Sequence, residues 1–252
     1  MSGKRSKPEA GTRGRDTVWS SILTLAIMAV SQRADARTHA PTVLRVRPMI
    51  KLRIYNYAIP RTLLLRSEAE ATAILNHGGL AVGWVDCPLS AAEFASYPDC
   101  LNTMGSTDFT IRILTVRDAR RIAVRRDAMG EALECLGDHS GCSAYIFYRD
   151  VQELARNWDA SESQLMGHTL AHEIGHLLLG ANSHSSEGIM RANWRQQELY
   201  TIARAHLSFT DEQSKRMCAE VSALNSDRHS QPQNTADEDF QEVRNSTDQQ
   251  RK

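Results

Sequence analysis

His172-Glu173-Ile174-Gly175-His176 is the stretch from which the rest of this chain can be read. On a helix, residues four apart lie about one turn apart on the same face. Two imidazoles at that spacing can grip one metal ion from a single rod. The Glu between them brings a carboxylate beside any water on that ion. Zinc lowers the pKa of such a water from about 15.7 to about 7, within reach of a carboxylate base. The five-residue pattern recurs by chance at about the per cent level in a chain with nine His. Its surroundings therefore decide its meaning.

Those surroundings read as a helix. Asp159-Ala160-Ser161-Glu162 and Ser161-Glu162-Ser163-Gln164 both have capping-box form. Met166, Leu170, Ile174, Leu177 and Leu178 follow at helical spacing as an apolar stripe. His168, His172 and His176 form a second stripe, expected to face a cleft, with His168 beside the metal rather than on it. Gly175 within the helix costs about 1 kcal/mol relative to Ala, which implies another element packed very close. Gly180 fits a residue in the left-handed conformation that ends the helix.

Catalytic zinc takes three protein ligands and keeps one open position. After the turn at Gly180, His184 can fold back to the metal, and Glu198 on a further helix is the alternative third ligand. Gly188-Ile189-Met190 offers a tight turn ending in a thioether, although Met190 reads equally as core.

This order of residues resembles the metzincin group of zinc metallopeptidases, with their HExxHxxGxxH-type helix and turn followed by a Met-turn beneath the metal. Here the pattern is His172-Glu173-x-x-His176-x-x-x-Gly180-x-x-x-His184, then Met190, with one extra residue before the Gly and one after it. The resemblance implies Zn2+ held by His172, His176 and His184, Glu173 as general base, and Met190 as the Met-turn residue. It also implies a metzincin-like mixed sheet with an active-site helix and a C-terminal helix.

The scaffold reads as α/β (α+β) with no internal repeat. Strands are expected at residues 50–57, 80–85, 109–116 and 144–148, with Phe109, Ile111, Ile113 and Thr115 on one face. A short strand is expected at 121–125. Helices are expected at 61–76, 198–206 and from a Thr210 cap to about Ala223, with an irregular loop at 87–100. Residues 129–136 fit the edge strand above the cleft that the resemblance implies, although Gly130-Glu131-Ala132-Leu133 reads equally as helix.

At the N-terminus, Lys4, Arg5, Lys7, Arg13 and Arg15 precede an apolar run from Val18 to Val30, and Ala34-Asp35-Ala36 fits a small-x-small cleavage site. A signal peptide at 1–36 is expected, with an uncleaved signal anchor as the alternative. A catalytic domain would occupy 37–224. A polar tail would occupy 225–252, where Phe240 and Val243 are the only large apolar residues and cannot offset the entropy of ordering.

Five cysteines in an exported chain can form disulfides. Cys87 with Cys100 and Cys135 with Cys142 would close two local loops and leave Cys218 free, while other pairings stay open. A net charge of zero gives no reason to expect a nucleic-acid partner.

The expected function is thus a secreted or periplasmic zinc-dependent endopeptidase acting as a monomer on a peptide or protein substrate, with no stable membrane partner once the leader is cleaved. Two alternatives remain at this stage: an exported, non-catalytic zinc-binding module, and a zinc amidase or esterase acting on small substrates.

Overall fold

The computed structural model describes residues 46–122, 128–133 and 142–230. All of them belong to one compact unit, Arg45–Lys252. The expected leader, residues 1–36, lies outside the described residues.

The strands β1 (Met49–Asn56), β2 (Ala81–Cys87), β3 (Asp108–Leu114), β4 (Gly130–Ala132) and β5 (Ser143–Phe147) form one mixed sheet. Its order is β2-β1-β3-β5-β4. The first four are mutually parallel, and β4 runs antiparallel along β5 at the edge. The fold class is therefore the mixed α/β one expected.

Alternation in the sequence sets the sheet's apolar face. Leu52 and Ile54 of β1, on the same face as Ile50, pair with Phe109 and Ile111 of β3, and Ile111 and Ile113 pair in turn with Ala144 and Ile146 of β5. All are at most 1% exposed. Against this face pack α1 (Arg61–His77) and α5 (Glu162–Leu179), sharing one core through Leu64, Ala71, Ile74, Leu165, Leu170 and Ile174. The central strand β3 is buried on both faces, as parallel strands usually are.

The helix α1 stops where expected, at Gly78-Gly79, with Gly79 at φ +90° and its N–H donating to the Asn76 carbonyl. Residues 87–100 carry a 3-10 turn at Phe94–Ser96 and a short helix, α2 (Pro98–Leu101). The Cys87–Cys100 disulfide closes this segment as expected, and Cys218 is a free thiol. Cys142 is also disulfide-bonded. Its expected partner, Cys135, lies outside the described residues.

Several local expectations are corrected. Thr115 leaves β3 and caps α3 (Val116–Arg121), its Oγ1 accepting from the Asp118 N–H. Arg121 therefore ends a helix instead of starting a strand, and residues 123–127 lie outside the described residues. A ten-residue helix, α4 (Tyr148–Asn157), follows β5 directly and buries Val151 and Ala155. The sequence reading stopped at Tyr148 and missed it. The edge strand does form, as β4, and residues 134–136 of the expected span lie outside the described residues.

The helix α5 starts at Glu162 without either capping box. Ser161 makes no side-chain cap bond, and the Glu162 carboxylate accepts from the Tyr148 hydroxyl instead. Positions Leu165 to Leu178 are all buried, so the expected two-sided helix is enclosed on every face. Gly167 explains part of this enclosure. A Cβ there would stand 2.4 Å from Glu70 Cβ and 2.8 Å from the Ser67 carbonyl, so α1 lies almost backbone to backbone on α5.

Beyond α5 and the turn that follows it come α6 (Gln196–Arg204) and α7 (Asp211–Ser230). The latter passes the Asn225 boundary expected for the polar tail. Among the described residues no helix is long and apolar enough to cross a membrane.

Candidate metal centre

One turn of α5 brings His172 and His176 into ring contact, with centroids 4.7 Å apart. The chain then reverses at Gly180, whose N–H donates to the His176 carbonyl. Gly180 has the positive φ expected, +94°, but its ψ of 163° lies outside the left-handed helical well. That combination is open essentially only to glycine. Nothing would obstruct a Cβ there, so backbone conformation alone requires the glycine.

The reversal returns His184 to the helix. His176 Nε2 lies 3.1 Å from His172 Nε2 and 3.1 Å from His184 Nε2. His172 and His176 are buried, and His184 lies at the surface.

Partners on the far side of two rings fix which nitrogens are bare. A carbonyl can only accept, so His172 Nδ1–H donates to the Ile189 carbonyl at 2.7 Å. His176 Nδ1 faces the Gly180 carbonyl at 3.3 Å and Ser183 Oγ at 3.0 Å. Both arrangements turn an Nε2 lone pair toward the group. Burial also lowers both imidazoles' pKa values, His172 to about 4, and so keeps them neutral.

Bare nitrogens this close repel unless a cation lies between them. Tetrahedral zinc with Zn–N of about 2.0–2.1 Å sets its ligand nitrogens about 3.3–3.4 Å apart. The donor type, the spacing and the direction of the lone pairs fit that ion.

Glu173 is buried beside the edge strand. Burial pushes its carboxyl up to about 8, and the Glu131 charge adds to this, while a hydrogen bond from the Ala132 backbone acts the other way. Gly130 makes the approach possible, because a Cβ on it would lie 2.7 Å from Glu173 Oε1. A cavity of about 400 Å3 opens along this rim, between Ala132 and Leu133, the end of α5 at His176 and Leu179, and Arg216 and Glu220 of α7.

The turn after His184 is tied at several points. Ser185 N–H donates to the Met190 carbonyl, and Ile189 N–H donates to the Ser208 carbonyl. Gly188 takes φ +71°, and a Cβ there would strike the Ser208 carbonyl at 2.7 Å. Met190 is fully buried, with its sulfur 2.5 Å from where a Gly175 Cβ would stand. That contact accounts for Gly175 inside α5.

The other two candidates are spent elsewhere. Glu198 accepts from Arg191 Nη1 at 2.8 Å and from the Arg195 N–H at 2.8 Å. Burial acts to raise its carboxyl pKa, but these donors and the Arg191 charge hold it below the usual range. His168 is fully buried rather than cleft-facing. Its Nδ1–H donates to the Gln164 carbonyl, and its Nε2 accepts from the Leu207 N–H. Glu70, His168 and His206 lie close enough together to suggest a second metal group. With both nitrogens of His168 engaged, the neutral ring has no lone pair to give to an ion.

No family model matches the chain, and no curated protein matches it. Among solved structures it is similar to archaemetzincin from Methanopyrus kandleri. The identity is 14%, the TM-score is 0.41, and the match covers 71% of this chain and 99% of that chain. At that level the likeness carries no weight for the chemistry, which rests on the side chains.

Two residues beside the cluster were not identified from the sequence: Gly130, which lies against Glu173, and Trp194, whose indole N–H donates to the Ile189 carbonyl behind His172. Trp194 lies in a polar stretch with no period, and Gly130 stands more than forty residues before the residue it touches. No local pattern joins either to the histidines.

Proposed function

We propose that this chain is an exported zinc-dependent endopeptidase. His172, His176 and His184 would hold the ion, and Glu173 would be the general base. The observation that carries the reading is the pair of 3.1 Å separations among three imidazole nitrogens of which two have their far side committed. A bound zinc would supply Lewis-acid chemistry, acidifying water and neutralising charge on an oxygen.

The chain's own residues do the rest. Glu173, ionised against the effect of its burial by the charge of a divalent ion bound nearby, would take a proton from the attacking water and pass it to the leaving amine. The backbone of β4 holds that carboxyl in place and excludes water from one side of it. A substrate in extended form would add to the outer edge of β4, which pairs only with β5 among the described strands. That edge, beside Glu173, favours a peptide over a small amide or ester. The alternative of a non-catalytic zinc module requires a closed site with a fourth protein ligand, and the commitments of His168 count against it. Export is supported by the basic and apolar leader and by the Cys87–Cys100 disulfide.

The test is metal analysis of the purified mature chain together with a quenched-peptide cleavage screen, with and without chelator. One zinc per chain and chelator-sensitive cleavage are expected. A protein without stoichiometric metal would overturn the reading. Bound zinc with turnover only of small esters or amides would move the activity to that class.

A further inference from the structure

The Ile189 carbonyl accepts two donors: His172 Nδ1–H at 2.7 Å and the Trp194 indole N–H at 3.1 Å. A carbonyl oxygen has two lone pairs, so both bonds form together. The same indole stands edge-on to the His172 ring, with centroids 5.8 Å apart and planes at 88°, and edge-on to His168 at 6.2 Å. One side chain thus fixes the acceptor of His172 and also walls its ring.

Trp194 is itself held by a staple. The Glu198 carboxylate accepts from the Arg191 side chain with one oxygen and from the Arg195 backbone with the other. These two donors bracket Trp194 in the chain, so the loop between them has its ends clamped to one carboxylate. The start of the loop is tied again, because Arg191 N–H donates to the Gly188 carbonyl. The residue that the sequence offered as an alternative ligand therefore anchors the segment that reaches His172 from the far side.

We propose that Trp194 is a positioning residue for His172. Its N–H and ring edge hold the Ile189 carbonyl and the imidazole so that His172 Nε2 points at His176 Nε2, and Glu198 holds Trp194 in place. The inference rests on reading His172 as a zinc ligand. Partners that orient a ligating histidine typically contribute about 10- to 100-fold to metal affinity. The effect of Trp194 acts through the shared carbonyl and belongs at the lower end of that range.

The decisive variant is Trp194→Phe, which keeps an aromatic wedge and removes the indole N–H. Zinc affinity by chelator competition is expected to fall about 10-fold, while the thermal midpoint of the metal-free protein stays within about 2 °C of the parent. A second readout does not depend on zinc. In nitrogen-15 spectra of the metal-free protein, exchange of the His172 Nδ1–H with water should become several-fold faster in the variant. Unchanged exchange together with zinc affinity within about twofold of the parent would overturn the proposal. A parent protein that takes up no zinc would instead overturn the proposed function, and the exchange measurement would still decide the role of Trp194. Should Trp194→Phe fail to fold, Glu198→Gln loosens the staple without touching the indole. About threefold weaker zinc binding and faster His172 exchange are then expected, and no change in either overturns the proposal.

Discussion

The backbone of Gly130 lies against the side chain of Glu173: a Cβ on residue 130 would stand 2.7 Å from both Cγ and Oε1 of the glutamate. The edge strand and the proposed base therefore occupy one tightly shared space. Gly130→Ala should push the carboxyl aside. More than about 10-fold loss of kcat is expected, since small displacements of a catalytic group are costly, with zinc content unchanged. Peptide cleavage kinetics and metal analysis on the same preparation check this, and wild-type turnover would show that the contact has no bearing on activity.

Glu173→Gln keeps the shape of the side chain and removes its ability to take a proton. Zinc should be retained at one per chain. Turnover should fall by about 10²- to 10⁴-fold, the usual contribution of a general base. Full activity in this variant would remove Glu173 from the mechanism.

His184→Ala and Glu198→Ala separate the two candidate third ligands. His184→Ala should weaken zinc by more than about 100-fold, because it removes one of three ligands. Glu198→Ala should still load one zinc per chain and lose stability instead, since it breaks the bonds to Arg191 and Arg195. Isothermal titration with zinc distinguishes the pair, and the reverse pattern would shift the centre to Glu198.

Gly167→Ala tests the packing of α1 on α5. The added methyl meets the Ser67 carbonyl, part of a helix backbone that cannot turn aside. Overpacking of this kind costs about 1–3 kcal/mol, against a gain of about 1 kcal/mol in helix propensity. Gly175→Ala should be milder, because the Met190 thioether it meets is flexible, although the Phe209 ring at 2.8 Å is not. Denaturant melts should rank Gly167→Ala as the less stable of the two.

Glu68 supplies a pH dependence away from the histidine cluster. Burial pushes its carboxyl up from 4.5 to about 8, the charge of Asp86 and a hydrogen bond with it add to this, and Arg61 partly offsets it. The folded state therefore holds a proton that the unfolded chain has released. This contribution to stability is complete below about pH 4.5 and declines as pH rises toward 8. Glu68→Gln should leave stability at pH 4 nearly unchanged and raise it at pH 8 by on the order of 2 kcal/mol. Urea melts at the two pH values check the difference, and an equal effect at both would refute it.

The sequence was informative wherever chemistry and conformation are set within a few residues. The spacing of His172 and His176 follows from the helical period. Gly180 announces a reversal, because few other residues take its backbone angles, and the reversal brings His184 back. Alternation in β1 and β3 gave the sheet its apolar face. Where two local readings compete, the sequence misled. Ser161 and Glu162 have the form of a cap, but Tyr148 takes the carboxylate. Residues 148–157 carry a clear helical pattern, with Val151, Leu154 and Ala155 at helical spacing, but the helix follows β5 without any break signal and was missed. His168 shares a helix face with His172 and His176, yet Leu207, thirty-nine residues onward, claims its free nitrogen.

What the chain determined by itself was a pair of imidazoles with an acid between them on one helix, followed by a turn, because those relations depend on a repeat of 3.6 residues and on glycine's freedom. What only the folded structure decided was which far-off groups meet that helix. It placed the Ile189 carbonyl behind His172, Gly130 against Glu173, Arg191 on Glu198, and His184 beside His176. Such contacts depend on how the elements pack in three dimensions, and no pattern local to either partner encodes them.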